Sequence, residues 1–272
     1  MNANAIIESL GIVPVINIPD PVLAIPLAEA LIAGGLPVIE VTLRSETALQ
    51  SIQNIKTSCP QMLVGAGTIT SVQQAEESMR AGADFIVSPG YDQELVDFCM
   101  ERDVTIYPGC TTAAEIHTAY RSGLRIVKFF PADVCGGLQA IRAFVGPFRE
   151  MRFLPTCGIN MGNLGDYLAC DKVIACGGSF MAPAAMLAAG EFAAITDNCR
   201  KAVDVALGFS LAHVGINCGD SEQAEKTARL LGGLLHMPVR ETGKSFFTGS
   251  IVENMKIPFY GKKDISGSVR CP

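Results

Sequence analysis

The sequence predicts an α/β fold: an eight-stranded (β/α)8 barrel followed by a small C-terminal α+β appendage. Between Val13 and Gly190, short apolar runs alternate with glycine or polar turns and helix-like segments, the pattern of parallel strands joined by helical crossovers. The runs are continuously apolar, as expected where both faces of a strand are covered. The third observation is negative. A doubly wound sheet would normally carry a glycine-rich phosphate loop after an early strand, and neither G-x-G-x-x-G nor a Walker A motif occurs.

The eight runs are residues 14–16, 38–43, 62–65, 85–87, 104–107, 126–130, 151–154 and 173–176. Helices are expected at 46–57, 71–81, 92–102 and 113–122. Ser71, Asp92 and Thr111 suit N-caps. Gly34, Gly82 and Gly123 suit C-caps. Pro26 falls inside the first long helix, which should start late or kink there. Residues 191–207 read as the last barrel helix.

From about residue 208 the pattern changes. Residues 211–217 read as a strand, 221–231 as a helix capped by Ser221, and 246–248 and 251–255 as short strands. The expected division is a barrel over 1–207 and a β-α-β-β extension over 208–272, with a loose polar tail after Lys262.

Composition narrows the function. The chain has 272 residues, 49% hydrophobic and 18% charged, which argues against disorder. A net charge of −6 disfavours a nucleic-acid role. The greasiest stretch, residues 22–43, is broken by Pro26, Glu29, Gly34, Gly35, Pro37 and Glu40, so no membrane span is expected. The N-terminus carries no basic signal region, and the cysteines show no C-x-x-C or zinc-finger spacing. Together these predict a cytoplasmic protein with reduced thiols.

Two charges interrupt apolar strands: Glu40 within 38–44 and Lys128 within 126–131. With a strand period of two, Glu40, Thr42 and Arg44 share one face, and Lys128 shares another with Ile126 and Phe130. If both faces point into a barrel, an amine, a carboxylate and a guanidinium converge near its C-terminal mouth. A lysine in an apolar pocket yields a neutral amine able to attack a carbonyl. A carboxylate can shuttle protons, and an arginine can clamp a substrate carboxylate. A purely structural ion pair, or strand-end side chains reaching water, would leave the same pattern. Glycine-rich segments after the strands let ligand approach the backbone. Gly158 and Gly177-Gly178-Ser179 fall in the loops after strands seven and eight, where barrels often bind phosphate, and ordinary tight turns explain them equally well.

Six motifs in order then resemble one family: Glu-Val-Thr-Leu-Arg (40–44), Gly-Ala-Gly-Thr (65–68), Ser-Pro-Gly (88–90), Lys-Phe-Phe-Pro-Ala (128–132), Phe-Leu-Pro-Thr-Cys-Gly-Ile (153–159) and Gly-Gly-Ser (177–179). Residues 5–205 resemble the 2-keto-3-deoxy-6-phosphogluconate (KDPG) / 4-hydroxy-2-oxoglutarate (KHG) aldolases. The resemblance implies a TIM barrel, commonly a homotrimer, and class I Schiff-base chemistry with no metal and no cofactor. It implies that Lys128 forms the imine with the keto carbon and that Glu40 is the general acid/base. Arg44, Thr68 and Thr156 would hold the pyruvate end, with Pro89 shaping the pocket. Gly158 and Ser179, with Gly177 and Gly178, would bind the phosphate of a phosphorylated keto acid. The family often has two glycines where this chain has Cys157-Gly158. The galactonate epimer is a further substrate the resemblance allows.

Residues about 210–262 resemble, on one motif, half of a vicinal oxygen chelate (glyoxalase-like) module. His213 would open its first strand, and Glu253 is a poor counterpart of the usual glutamate. A metal site there needs two paired modules, so a decorating or oligomer-contact element is expected. An idle barrel that binds ligand through this appendage is the competing reading. A metal-dependent aldolase is disfavoured because His117, the only histidine before residue 207, falls in a predicted helix.

Overall fold

The computed structural model describes residues 3–208, 210–256 and 265–270. The chain forms two compact units, Met1–Ala206 and Leu207–Pro272.

In the first unit, β1 (Ile12–Ile16), β2 (Val38–Thr42), β3 (Leu63–Gly67), β4 (Phe85–Val87) and β5 (Thr105–Tyr107) are parallel neighbours. β9 (Cys176–Gly178) pairs with the free side of β1. β6 (Gly109–Cys110), β7 (Ile126–Phe129) and β8 (Arg152–Pro155) form a second parallel group. Two junctions close the ring. Gly109 N–H donates to Ser88 O at 3.1 Å and Lys128 N–H to Pro108 O at 3.0 Å. Parallel bridges Phe153↔Val173 and Thr156↔Gly177 join β8 to β9. β5 and β6 occupy one strand position, interrupted at Pro108, which has no N–H to give the ladder. Helices that include α3 (Ala48–Ser58), α7 (Gly137–Val145) and α10 (Phe192–Leu207) lie between or after the strands, and the result is a TIM-like α/β barrel.

Alternation divides the strand residues between two cores. Ile39, Val41, Val127 and Phe129 face the helices, whereas Val38 and Ile126 face the barrel interior with Phe85, Tyr107 and Leu154. The N-terminal helix α1 (Ala3–Leu10), which the sequence reading did not anticipate, joins that interior core through Ala3 and Ile7. The Tyr107 hydroxyl donates to Asn4 Oδ1.

Several local expectations shift. The strand predicted at 173–176 is β9, Cys176–Gly178, with Val173 in an isolated bridge. β3 likewise extends through Gly65 and Gly67, so these glycines are strand residues, not turn residues. The reason is space. A Cβ at Gly65 would lie 2.1 Å from the Phe85 ring, and one at Gly177 2.3 Å from Thr156 Oγ1. Gly34 does end α2 (Ala24–Ala33), but the left-handed residue is Gly35, at φ +87°. Pro26 sits in the first turn of α2, where its missing N–H has no intrahelical partner to lose. A 3-10 turn over Pro21–Leu23, capped by Asp20, leads into it.

Ser71 and Asp92 cap α4 (Val72–Arg80) and α5 (Gln93–Glu101), accepting from Gln74 N–H and Leu95 N–H. α6 (Ala113–Arg121) is capped by Thr112, not Thr111, because only Thr112 completes a capping box with Glu115. Burial pushes the Glu115 carboxyl up, but hydrogen bonds from Thr111 and Thr112 outweigh it and hold it below its ordinary value. A carboxyl lowered on folding contributes stability that is present above the unfolded pKa and lost as pH falls through the folded one. Thr112→Ala should therefore cost about 1 kcal/mol at neutral pH. The difference in Tm between wild type and Glu115→Gln should shrink as a thermal-unfolding series is carried below the ordinary glutamate value of about 4.3. A gap that widens on acidification would contradict the capping account.

The second unit holds β10 (Ser210–Asn217), α11 (Ser221–Leu235), β11 (Val239–Glu241), β12 (Ser245–Thr248), β13 (Val252–Met255) and β14 (Ile265–Arg270). Its sheet order is β11-β12-β13-β10-β14. It therefore has two strands more than the β-α-β-β pattern, and residues 265–270 are a paired strand instead of a loose tail. Asp220, not Ser221, caps α11 by accepting from Gln223 N–H. Ala224 and Ala228 of α11 pack with Phe246 and Cys218. No helix among the described residues is long and apolar enough to cross a membrane.

Candidate active site

Glu40 lies on β2 and Lys128 on β7, in sequence 88 residues apart. Both point into the barrel, at 1% and 5% exposure. Lys128 Nζ donates to Glu40 Oε1 at 3.0 Å and to Oε2 at 3.4 Å. Lys128 is thus not a solitary amine in an apolar pocket. It is half of a buried ion pair, which offsets the large cost of burying either charge alone. Gly67 makes the room: a Cβ there would stand 2.2 Å from Glu40 Oε1. The Lys128 ammonium also lies 5.4 Å from the Phe130 ring centroid, where the ring face favours a cation.

One residue pair further along the same faces come Thr42 and Phe130, and these line a cavity of 560 Å³ at the C-terminal ends of the strands. Arg44, Thr156, Gly158, Gly177, Gly178 and Ser179 line it too, so six of the expected site residues share one space. Arg44 forms no ion pair among the described residues. Thr68 and Pro89 lie on the rim after β3 and β4 and are not part of that lining. Thr68 has φ +62°, an uncommon conformation for a β-branched residue and one that tends to be held at functional sites. Pro89 backs Gly109, whose Cβ would come 2.1 Å from the Pro89 carbonyl oxygen.

Gly177 and Gly178 belong to β9, so the loop after it begins at Ser179. The helix after β8, α8 (Leu164–Leu168), and the helix after β9, α9 (Ala184–Ala188), have five residues each. Helices this short provide little macrodipole for an anion.

Sequence reasoning omitted Thr42, Phe130 and Asn17 from the site. The first two were accessible to it, since each is two residues beyond a singled-out charge. Asn17 follows β1 at the strand end where barrels place functional groups.

Cys157 is exposed and lines the cavity. Partial burial, then a hydrogen bond to Asp133 and its charge, raise the thiol pKa, against a smaller opposing hydrogen bond from Gly158 N–H. Fewer thiolates at a given pH mean slower alkylation. Iodoacetamide at pH 8 should label Cys157 more slowly than free glutathione, and Asp133→Asn should speed it, read by peptide mapping. Faster labelling than glutathione would contradict this environment.

His117 lies on α6, its ring 6.2 Å from that of Phe148 in an edge-on contact. In the second unit His213 Nε2 stands 2.8 Å from Glu253 Oε2, and Ser245 Oγ donates to Glu253 Oε1. Among the described residues no three His, Cys, Asp or Glu side chains gather into a metal-holding group.

A closed parallel barrel with a buried lysine–carboxylate pair beneath a cavity at the strand ends defines an α/β-barrel lyase of the aldolase type, and the comparisons with known proteins agree. Residues 3–198 match the family described as "Aldolase: KDPG and KHG aldolase". The 2-dehydro-3-deoxy-phosphogluconate aldolase of Treponema pallidum is 43% identical over 199 residues, 73% of this chain and 95% of that one. The KHG/KDPG aldolase of Escherichia coli K12 is 42% identical over 203 residues, 75% and 95% of the two chains. Among solved structures, a KDPG aldolase from Legionella pneumophila, with pyruvate captured as a covalent carbinolamine intermediate, is 34% identical at a TM-score of 0.71. That match covers 74% of this chain and 97% of the other. The chain belongs to the KDPG and KHG aldolase family.

Proposed function

We propose that the chain is a class I aldolase that cleaves KDPG to pyruvate and glyceraldehyde 3-phosphate. The observation that carries this is the Lys128–Glu40 contact of 3.0 Å inside the barrel, directly beneath the cavity. Glu40 accepts a proton from the Lys128 ammonium, and the freed amine attacks the C2 keto carbon. Glu40 then protonates the carbinolamine hydroxyl, which leaves as water and yields the iminium. Glu40, again a carboxylate, takes the C4 hydroxyl proton, the C3–C4 bond breaks to release glyceraldehyde 3-phosphate, and its electron pair enters the iminium to form an enamine. Protonation at C3 and hydrolysis release pyruvate and regenerate the amine. The protonated imine is the electron sink that makes the bond cleavage accessible.

Arg44 pairs with the keto-acid carboxylate at the cavity mouth, aided by Thr68 and Thr156, and Pro89 shapes that end. Gly158, Gly177, Gly178 and Ser179 offer backbone N–H groups and one hydroxyl to the phosphate. The chemistry needs no metal and no cofactor. By family resemblance the protein works in the cytoplasm as a homotrimer, in the Entner-Doudoroff branch of carbohydrate metabolism. Release of pyruvate from KDPG, followed by a coupled lactate dehydrogenase assay, tests the reaction. No pyruvate from folded protein would overturn it.

Residues 1–207 are proposed as the aldolase domain and 208–272 as a peripheral extension. Supporting this, the Treponema and Escherichia relatives are covered to 95% of their length by 73–75% of this chain. Deleting residues 208–272 should leave kcat intact in a folded product. A large loss of kcat in such a product would place part of the extension at the active site.

A further inference from the structure

The cavity wall contains a buried polar group to which the aldolase reading gives no task. Thr42 ends β2 and is 3% exposed. Ile39 and Val41 face the helices, so by alternation Thr42 shares the inward face of Glu40, about 7 Å further toward the mouth by strand rise. It lines the cavity. Its neighbour in register on β3 is Gly67, so no side chain stands beside it at that position. Among the described residues its hydroxyl donates once, to Ile16 O on β1 at 3.4 Å. That bond is long for a hydroxyl, whose usual range is about 2.5–3.0 Å. Thr156, 6% exposed in the same cavity, has a similarly long contact of 3.5 Å to Leu154 O, but the aldolase reading already gives it to the pyruvate end.

A hydroxyl has one proton and two acceptor lone pairs. The Thr42 proton is directed at Ile16 O, so its oxygen is left as an acceptor. Schiff-base chemistry needs an acceptor of this kind. Water leaves when the carbinolamine dehydrates and returns when the final iminium is hydrolysed. Glu40 gives one proton to the departing hydroxyl and takes one back from the returning water. The second hydrogen of that water stays on its oxygen throughout. In a buried site it needs a partner, because a polar group stripped of hydration and left unpaired is costly. Val15, in register with Glu40, and Phe130, on the face of Lys128, also line the cavity but have no polar side-chain atom to offer.

We infer that Thr42 is a positioning residue for this water. Its Oγ1 accepts the hydrogen that Glu40 does not handle and so aligns the water with C2, both when the imine forms and when it is hydrolysed. The inference rests on the aldolase reading and adds a residue to it. Thr42 meets the water, not the carboxylate or the phosphate, so its loss falls on kcat and on exchange of the C2 oxygen instead of on KM.

The test follows the loss of oxygen-18 from pyruvate labelled at C2, in ordinary water, by mass spectrometry. This exchange passes through the imine and requires no cleavage of a C3–C4 bond. Thr42→Val keeps the branched shape and removes the hydroxyl. It should slow enzyme-dependent label loss and kcat for KDPG about tenfold, the size of one lost hydrogen bond, with KM within about twofold. Thr42→Ser returns the hydroxyl and should recover most of both rates. Thr42→Ala gives the same reading if the valine variant does not fold. Label loss within about twofold of wild type in a folded variant without the hydroxyl overturns the inference. An equal loss in Thr42→Ser overturns it too, because packing would then be the cause. So does a rise in KM with label loss unchanged, which would put Thr42 on the substrate itself. Borohydride trapping of pyruvate on Lys128 separates the two levels. An adduct in the wild type with unmoved label loss in Thr42→Val overturns the role of Thr42 alone. No adduct in the wild type overturns the aldolase reading and this inference with it.

Discussion

Replacing Lys128 by alanine is expected to abolish turnover and the borohydride trapping of pyruvate. Among the described residues, the lysine that reaches Glu40 is the one that donates to it at 3.0 Å, and no other side-chain type can supply an imine. Loss of a covalent nucleophile from a set of groups acting together lowers kcat on the order of 10⁶-fold. The substitution also strands Glu40, at 1% exposure, without its cation. Breaking one side of a buried pair costs about 3–5 kcal/mol, so inactivity alone could report unfolding. Lys128→Arg separates the two effects. It keeps a cation for Glu40 but cannot become a neutral nucleophile at working pH. It should hold most of the Tm and still give no adduct by intact mass and peptide mapping. An adduct at another residue, or kcat near that of wild type in either variant, would sink the Schiff-base mechanism.

Glu40→Gln has the second largest expected effect. The glutamine oxygen can still accept from Lys128 Nζ, but the side chain can no longer take and return a proton. General acid–base assistance is worth about 10²–10⁴-fold, and kcat should fall by that range. The imine itself should still form, so pyruvate remains trappable on Lys128 at a reduced rate. This split between trapping and turnover distinguishes a proton shuttle from a group that only holds the lysine in place. Gly67→Ala probes the same geometry from the other side, because the added Cβ must displace the Glu40 carboxylate from 2.2 Å. A Glu40→Gln enzyme with kcat within about tenfold of wild type, below the range of proton-shuttle losses, would remove Glu40 from the reaction.

Legibility differed by the range of the interactions involved. The alternation of apolar runs and helices, the caps Ser71 and Asp92, and the inward face of Glu40 and Thr42 all follow from spacing within a few residues. Thr111 reads as a cap because it satisfies the same local rule as Thr112. Only the side chain of Glu115, reaching back to close the box, separates them. α1 was passed over because its role depends on Ile7 meeting Ile126 and Leu154, far along the chain. Gly65, Gly67 and Gly177 read as turn residues because glycine signals a turn locally. Their purpose is to admit Phe85, Glu40 and Thr156 from other strands. The conformation of Cys157 likewise left no trace in composition.

The sequence alone determined which residues could carry the chemistry: a lysine and a glutamate on apolar strands, an arginine four residues beyond the glutamate on the same face, and small residues at the strand ends. Those assignments depend on a period of two and on the cost of burying charge, which operate along a single segment. The tertiary structure decided that Lys128 and Glu40 meet and that the cavity opens above them. It also decided which glycines are clearances. Those facts come from ring closure, which brings segments dozens of residues apart into register. Contacts of that range depend on the summed packing of all eight strand positions, and no local pattern encodes them.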